Sequence, residues 1–130
     1  VEFLPEAKND SLLSAVVDSP VAIPVPQYHQ DAILELPENA KLLVTSDDCS
    51  VQAFVLGKSA WGLQFHPETD WNIMSDWLVS EDEVRKTLGI TDDSVQNQFE
   101  ELGEGMKNTW RALGIAFADT VVDHASKQQK

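Results

Sequence analysis

The chain has 130 residues, of which 42% are hydrophobic, and this is enough apolar material for one globular domain without disulfides or metal. It carries 9 basic and 22 acidic side chains, so its formal net charge is −13. A charge of this sign opposes phosphate backbones and anionic membrane surfaces. No apolar run reaches the roughly 18 residues that a membrane span requires. We therefore expect neither a nucleic acid nor a membrane as partner.

The single cysteine bears on the setting of the protein. Cys49 cannot form an internal disulfide, and no pair of cysteines is spaced for structural zinc. We therefore expect a reducing, cytoplasmic environment. The first residues lack the charged start and apolar stretch of a signal peptide. The chain begins at Val1 in a segment that already has strand character, so we expect a fragment of a longer protein.

The first half of the chain contains short β-rich runs separated by turn residues, which predicts strands. The runs are residues 1–4, 21–27, 41–46, 51–57 and 60–65. Two prolines inside the second run make it an edge strand or an irregular segment. The two-residue link 58–59 after Gly57 favours a hairpin, so the last two runs should be antiparallel neighbours. Residues 10–17 are predicted to form one short helix opened by Asp10.

Beyond residue 70 the apolar residues recur at intervals of three and four, which predicts helices. A capping box at Ser80 predicts a helix over residues 81–88 that ends at Gly89. A long helix is predicted from Asp92 onward, with one apolar stripe that indicates core packing. The stripe consists of Val95, Phe99, Leu102, Met106, Trp110, Leu113, Phe117 and Val121. Glycines weaken this helix near 103–105, where we expect a kink or break.

The segment QFHPE, residues 64–68, carries the most chemical information. Pro67 biases His66 toward an extended conformation, in which residues two apart project to the same side. The imidazole of His66 and the carboxylate of Glu68 should therefore lie within hydrogen-bond reach, at the carboxyl end of the strand 60–65. A carboxylate in this position fixes the tautomer of an imidazole and stabilises its charged form. Taken alone, a His-X-Glu pattern also fits a surface histidine at a strand end.

A metal site is an alternative use of the same residue types. The pairs His29-X-Asp31 and His66-X-Glu68 each resemble the first two ligands of a two-histidine, one-carboxylate iron site, with His124 as a further candidate ligand. However, His124 lies in a polar helical tail, and such oxygenases are generally jelly rolls without a long helix. The zinc deaminase pattern also fails, since no P-C-X-X-C follows. We predict no metal and no cofactor.

The wider string VQAFVLGKSAWGLQFHPE, residues 51–68, resembles the C-terminal signature of class I glutamine amidotransferases. Upstream, QYHQDAILELPENAKLLVTSDD, residues 27–48, resembles the family segment in which a histidine-containing loop leads into LP and a strand. The two matches have the family's order and separation. The resemblance implies an α/β, flavodoxin-like fold that is incomplete here. Residues 1–80 would be the C-terminal part of the amidotransferase domain, and residues 81–130 a helical extension packed on it.

The resemblance also implies roles for individual residues. In this family a Cys-His-Glu triad performs acyl transfer, so His66 would be the general base and Glu68 the carboxylate that orients it. A loop lies against the bound glutamine, largely through main-chain contacts. This glutamine-binding loop corresponds to Tyr28, His29, Gln30 and Asp31. His29 also has a structural interpretation, as a histidine whose hydrogen bonds are satisfied near a strand end.

The nucleophile is the point at which this chain departs from the family pattern. The family's cysteine lies in a Gly-X-Cys-X-Gly turn, which precedes every segment seen here and supplies backbone donors for the oxyanion. Cys49 has no flanking glycines, and Asp47 and Asp48 beside it disfavour a thiolate. We interpret Cys49 as a small residue in a turn between strands, and we expect the chain alone to be inactive.

Three functions follow from these observations. The first is the glutaminase reaction of an amidotransferase, which converts glutamine to glutamate and ammonia. The second is a non-catalytic, amidotransferase-like binding or regulatory module, and the third is a γ-glutamyl hydrolase with the same triad. The partners implied are glutamine, the N-terminal part of the same domain, and a synthase domain or subunit that uses the ammonia.

Overall fold

The computed structural model of the protein describes residues 1–17, 22–80 and 82–128. Its strands are β1 (Glu2–Phe3), β2 (Ala40–Thr45), β3 (Ala53–Leu56) and β4 (Ala60–Leu63). They form one antiparallel sheet in the order β1-β2-β3-β4, so strands that follow each other in the chain are neighbours in the sheet. Four of the five predicted β-rich runs therefore become strands, each shorter than predicted.

The predicted second strand does not form over its described part, residues 22–27. The N–H of Ile23 donates to the carbonyl of Val1 at 2.9 Å, and the carbonyl of Pro26 accepts from the N–H of His66 at 2.9 Å. Because two of the six residues are prolines without an N–H, these isolated bonds do not extend into a ladder. The prediction of an irregular segment is confirmed, and its first residue lies outside the described ranges.

The hairpin between β3 and β4 is confirmed. Leu56 pairs with Ala60, and the turn begins at Gly57, whose φ of +68° lies in the left-handed region that glycine adopts without steric cost. The hairpin aims β4 so that the chain leaves it toward residues 64–68. The position of this turn therefore fixes where the QFHPE segment emerges from the sheet.

The helix predicted over residues 10–17 is wrong in length and type. Two short 3-10 helices occur instead, at Pro5–Asn9 and Leu13–Ala15. The predicted role of Asp10 holds, because its Oδ1 accepts the N–H groups of Leu12 at 2.9 Å and Leu13 at 2.8 Å. The same carboxylate accepts the indole N–H of Trp61 at 3.1 Å, which ties this turn to β4.

Three α-helices follow the sheet: α1 (Trp71–Ser80), α2 (Asp82–Leu88) and α3 (Asp92–Gln128). The predicted end of α2 at Gly89 is confirmed by a φ of +69° at this residue. The predicted capping contact of Ser80 falls on a side chain outside the described set. The buried guanidinium of Arg85 donates to the carbonyl of Leu78 and to the carboxylate of Asp92, so it connects all three helices.

The long helix α3 is continuous over 37 residues, so the break predicted near 103–105 does not occur. Its middle packs on the sheet, where Met106, Trp110 and Leu113 join the hydrophobic core. The stripe prediction is wrong farther along, because the side chains of Phe117 and Val121 are both 51% exposed. A helix of this length extends about 55 Å, whereas a six-residue strand covers only about 20 Å, so its end extends beyond the sheet.

The core joins the sheet, the N-terminal turns and α3 in one cluster. Its buried members are Ala7, Leu12, Leu13, Val16, Leu43, Val44, Ala53, Val55, Phe65, Met106, Trp110 and Leu113. Within the described ranges, no helix is both long enough and apolar enough to cross a membrane.

Candidate active site

The segment that carries His66 leaves β4 in a conformation fixed from both sides. Phe65, directly before it, is buried, and its ring packs against that of Trp110 with centroids 5.1 Å apart. The backbone N–H of His66 donates to the carbonyl of Pro26. Since Phe65 points into the core, the side chain of His66 points away from it, toward the partly open surface near α1.

His66 and Glu68 form the contact that Pro67 predicts. Nδ1 of His66 lies 2.9 Å from Oε1 of Glu68. An ionised carboxylate can only accept, so Nδ1 carries the hydrogen of the neutral imidazole. The other ring nitrogen, Nε2, is then left with a lone pair that can take a proton. The arrangement is that of a base oriented by a carboxylate.

An aromatic side chain from α1 completes the surroundings of the imidazole. The indole of Trp77 meets the ring of His66 edge to face, with centroids 4.8 Å apart and planes at 66°. The ring of Tyr28 stacks on the same indole, with centroids 5.5 Å apart and planes at 28°. Trp77 therefore lies between the QFHPE segment and the predicted glutamine-binding loop. Sequence reasoning did not identify it, because a tryptophan in an amphipathic helix is ordinarily a core residue.

The imidazole of His29 is turned into its own loop. Its Nδ1 lies 2.9 Å from the carbonyl of Asp31, and its Nε2 lies 3.3 Å from Oε1 of Gln27. Both ring nitrogens are therefore engaged by neighbouring residues, as the structural interpretation of this histidine expects. The side chains of Gln30 and Asp31 are exposed.

A buried glutamine anchors the start of this loop. Gln52 is fully buried, and its Nε2 donates to Oε1 of Gln27 at 2.6 Å and to Oγ of Ser46 at 2.9 Å. The backbone of Gln52 is equally engaged, since its carbonyl accepts the N–H of Gln64 at 2.8 Å. This residue therefore links the loop to the segment before His66. Its only signal in the sequence is a polar residue within a predicted strand.

Cys49 lies in the turn between β2 and β3, as predicted. It is 6% exposed, and its thiol donates to the carbonyl of Val51 at 3.5 Å. Its backbone N–H donates to Oγ of Ser46 at 3.2 Å. A thiol enclosed in this way is inaccessible to a substrate, and the adjacent carboxylates of Asp47 and Asp48 disfavour a thiolate.

A cavity of about 640 Å³ lies beside Glu68, between residues 67–71 and the first half of α3. Both acidic and basic side chains line it, among them Glu100 and Lys107. In the described part of the chain, no group of three or more histidine, cysteine, aspartate or glutamate side chains could hold a metal ion.

The family comparison decides how the pair of His66 and Glu68 is interpreted. Residues 6–80 match the family described as glutamine amidotransferase class-I. The chain belongs to this family. The match includes the QFHPE segment and the loop at residues 28–31, and it ends with α1.

Individual relatives of this class I amidotransferase chain include two kinds of enzyme. Gamma-glutamyl peptidase 3 of Arabidopsis thaliana is 40% identical over 58 residues, which are 45% of this chain and 23% of the relative. The glutamine-hydrolysing subunit of the GMP synthase of Methanosphaera stadtmanae is 37% identical over 62 residues, which are 47% of this chain and 32% of the relative.

A solved structure supports the fold assignment. The crystal structure of a glutamine amidotransferase from Thermotoga maritima matches with a TM-score of 0.68 and 28% identity, covering 86% of this chain and 45% of that one. The amidotransferase chain therefore has the α/β, flavodoxin-like class I fold, of which the described strands form an antiparallel part. It spans less than half of the length of each of these three proteins.

Proposed function

We propose that the chain supplies the general base and its orienting carboxylate to a glutamine amidotransferase that hydrolyses glutamine to glutamate and ammonia. The observation that carries the proposal is the 2.9 Å contact between His66 Nδ1 and Glu68 Oε1, at the end of a strand in a chain of this family. The nucleophilic cysteine would come from a Gly-X-Cys-X-Gly turn outside these residues.

The first half of the reaction forms a thioester. The thiol proton of the incoming cysteine passes to Nε2 of His66, and the sulfur attacks the side-chain carbonyl carbon of glutamine. When the carbon–nitrogen bond breaks, the same proton passes from Nε2 to the departing nitrogen, which leaves as ammonia. The products of this half are a glutamyl thioester, ammonia and a neutral imidazole.

The second half regenerates the enzyme. Water attacks the thioester carbonyl while Nε2 of His66 takes one of its protons, and the carbon–sulfur bond breaks. The proton then returns to sulfur, and glutamate leaves. Glu68 holds the proton on Nδ1 throughout, so that Nε2 is the nitrogen that faces the reaction, and it stabilises the imidazolium formed in each half.

Glutamine would bind against Tyr28, His29, Gln30 and Asp31, mainly through their main chain. The engagement of the His29 ring within the loop supports this view, because it leaves the backbone as the available recognition surface. We assign residues 1–80 to the amidotransferase domain and residues 81–130 to a helical extension. The match over residues 6–80 supports this division.

The setting and partners follow from the same chemistry. Ammonia released by the site would pass to a synthase domain or subunit, and a thiol nucleophile requires the reducing conditions of the cytoplasm. The 130-residue chain alone should be inactive, because its only cysteine is buried in a turn.

A second candidate function is hydrolysis of γ-glutamyl compounds. It is favoured by the similarity to gamma-glutamyl peptidase 3, whose identity of 40% is comparable to that of the synthase subunit. The chemistry is shared, since both substrates present a γ-carbonyl bonded to nitrogen. They differ in the leaving group, which is ammonia in one case and an amine in the other.

The test uses the full-length protein that contains these residues. Ammonia release from glutamine is compared with amine release from a γ-glutamyl dipeptide, for the native protein and for His66→Ala. We expect glutamine turnover that falls by several orders of magnitude in this variant, because the members of a triad act as a unit. The matched control is His124→Ala, on the exposed end of α3.

The other outcomes are equally informative. Faster release from the dipeptide would replace glutaminase by γ-glutamyl hydrolase activity. No turnover of either substrate by the native protein, with glutamine still bound, would favour a non-catalytic binding module. Native turnover in His66→Ala would overturn the assignment of the base.

A further inference from the structure

The indole of Trp77 contacts both segments of the candidate site. One contact is the edge-to-face packing with His66, and the other is the stacking with Tyr28. Trp77 lies in α1, whose start is fixed next to the QFHPE segment because Oδ1 of Asp70 accepts the N–H of Ile73 at 3.0 Å. The helix therefore holds the indole at a defined distance from His66.

The contact with Glu68 is by itself a weak constraint on the imidazole. Glu68 is 60% exposed and His66 is 31% exposed, and pairs this accessible to solvent contribute little to holding a geometry. A single hydrogen bond at Nδ1 also leaves the ring free to tilt about that bond. A second contact, on another part of the ring, is needed to define its plane, and Trp77 provides one.

The side chain of Tyr28 is committed to the same helix. Its ring stacks on Trp77, and its O–H donates to the backbone carbonyl of Trp77 at 3.0 Å. The phenol therefore anchors the loop to α1. This changes the interpretation of Tyr28 from a residue that touches glutamine to one that sets the position of the loop.

We propose that Trp77 is a positioning residue that holds the His66 imidazole and the loop of residues 28–31 in register with each other. The proposal rests on the proposed function for its catalytic consequence. The base must meet the carbonyl that the loop presents, and the two belong to segments far apart in the chain. One rigid indole between them sets their relative position more directly than two independent anchors would.

The test compares Trp77→Leu with Trp71→Leu in the full-length protein. Trp71 is a matched control, because it lies in the same helix but packs on Phe99. We expect Trp77→Leu to lower kcat and raise KM for glutamine, with a combined loss in kcat/KM of about 10- to 100-fold, since small misplacements of reacting groups have effects of this size. Trp71→Leu should leave both constants within about twofold. Trp77→Phe should recover part of the loss.

A spectroscopic measurement separates positioning from general stability. Nitrogen-15 shifts of the neutral His66 ring should show one tautomer, protonated at Nδ1, in the native protein, and a mixture in Trp77→Leu. Thermal unfolding gives the folded fraction of each variant. If Trp77→Leu does not fold, Trp77→Met, which fills much of the space without an aromatic ring, takes its place.

A folded Trp77→Leu or Trp77→Met protein with the native tautomer and native kinetics would overturn the proposal while leaving the role of His66 intact. If the native protein and His66→Ala both lack turnover, the proposed function fails instead. The tautomer measurement then still decides whether Trp77 positions the ring.

Discussion

Nδ1 of His66 lies 2.9 Å from Oε1 of Glu68, although only one residue separates the two in the chain. The contact is local in origin, since Pro67 between them favours the extended backbone that places both side chains on one side. Long-range contacts then place this pre-formed unit. They are the backbone bond from His66 to Pro26 and the packing of His66 against Trp77.

Replacing Glu68 by glutamine should reduce glutamine turnover by less than His66→Ala does. The amide oxygen of the new side chain can still accept from Nδ1, but it carries no charge to stabilise the imidazolium. In a well-studied triad, removal of the carboxylate costs about a hundredfold less than removal of the base, and we expect a gap of this order. Steady-state kinetics of both variants measure it. Glu101→Gln on the exposed surface of α3 is the control, and equal losses in Glu68→Gln and Glu101→Gln would contradict the assignment.

Replacing Cys49 by serine should leave glutamine turnover of the full-length protein unchanged. The thiol is buried and donates to the carbonyl of Val51, a bond that a serine hydroxyl can also make. In the 130-residue chain alone, native and variant should both be inactive, because neither supplies a nucleophile. Ammonia release from each of the four proteins tests this. Activity of the short chain that disappears in Cys49→Ser would identify Cys49 as the nucleophile after all.

The parts of the site that could be predicted are those that depend on neighbours in sequence. The orientation of His66 toward Glu68 depends on one proline, and the hairpin before it depends on a short turn. Trp77 and Gln52 were missed because their importance depends on which way α1 and the sheet pack. No local pattern distinguishes an indole that faces a histidine from one that faces the core.

The fold shows the same limit. The helix over residues 10–17 failed because Asp10 closes a tight turn with its side chain, and the backbone continues as a 3-10 helix. The apolar stripe of α3 was correctly located, but periodicity cannot tell how far the supporting sheet extends. Phe117 is therefore half exposed although it continues the stripe of Trp110.

Replacing Trp110 by alanine should act on stability. The indole is 4% exposed, packs against Phe65, and donates its N–H to the carbonyl of Pro24 at 3.0 Å. Removing a buried tryptophan costs about 3–5 kcal/mol of the free energy of unfolding. Val122→Ala, on the exposed end of the same helix, should change it by less than about 0.5 kcal/mol. Urea unfolding measures both, and similar losses would mean that α3 does not pack on the sheet as described.

Two glycine-to-alanine substitutions should change stability in opposite directions. Gly62 in β4 lies opposite Phe54 in β3, and a Cβ at Gly62 would meet Cε1 of that ring at 2.4 Å. The ring must move from its packed position, so we expect Gly62→Ala to lower the free energy of unfolding by about 1–3 kcal/mol. Among the described residues, no atom beyond the backbone of α3 itself lies within 4 Å of a Cβ added at Gly103. There the better helix propensity of alanine should raise the free energy of unfolding by about 1 kcal/mol.

The cause of the loss at Gly62 can be isolated with Phe54→Leu. If the clash with the ring destabilises the protein, the double variant should lose less than the sum of the two single variants, because the smaller side chain makes room for the new methyl group. Urea unfolding of the four proteins of this cycle measures the coupling. Strict additivity would place the cost of Gly62→Ala in the backbone of β4 instead. The strand ends just before the QFHPE segment, so His66 should then shift too, and glutamine turnover per folded molecule would fall together with stability.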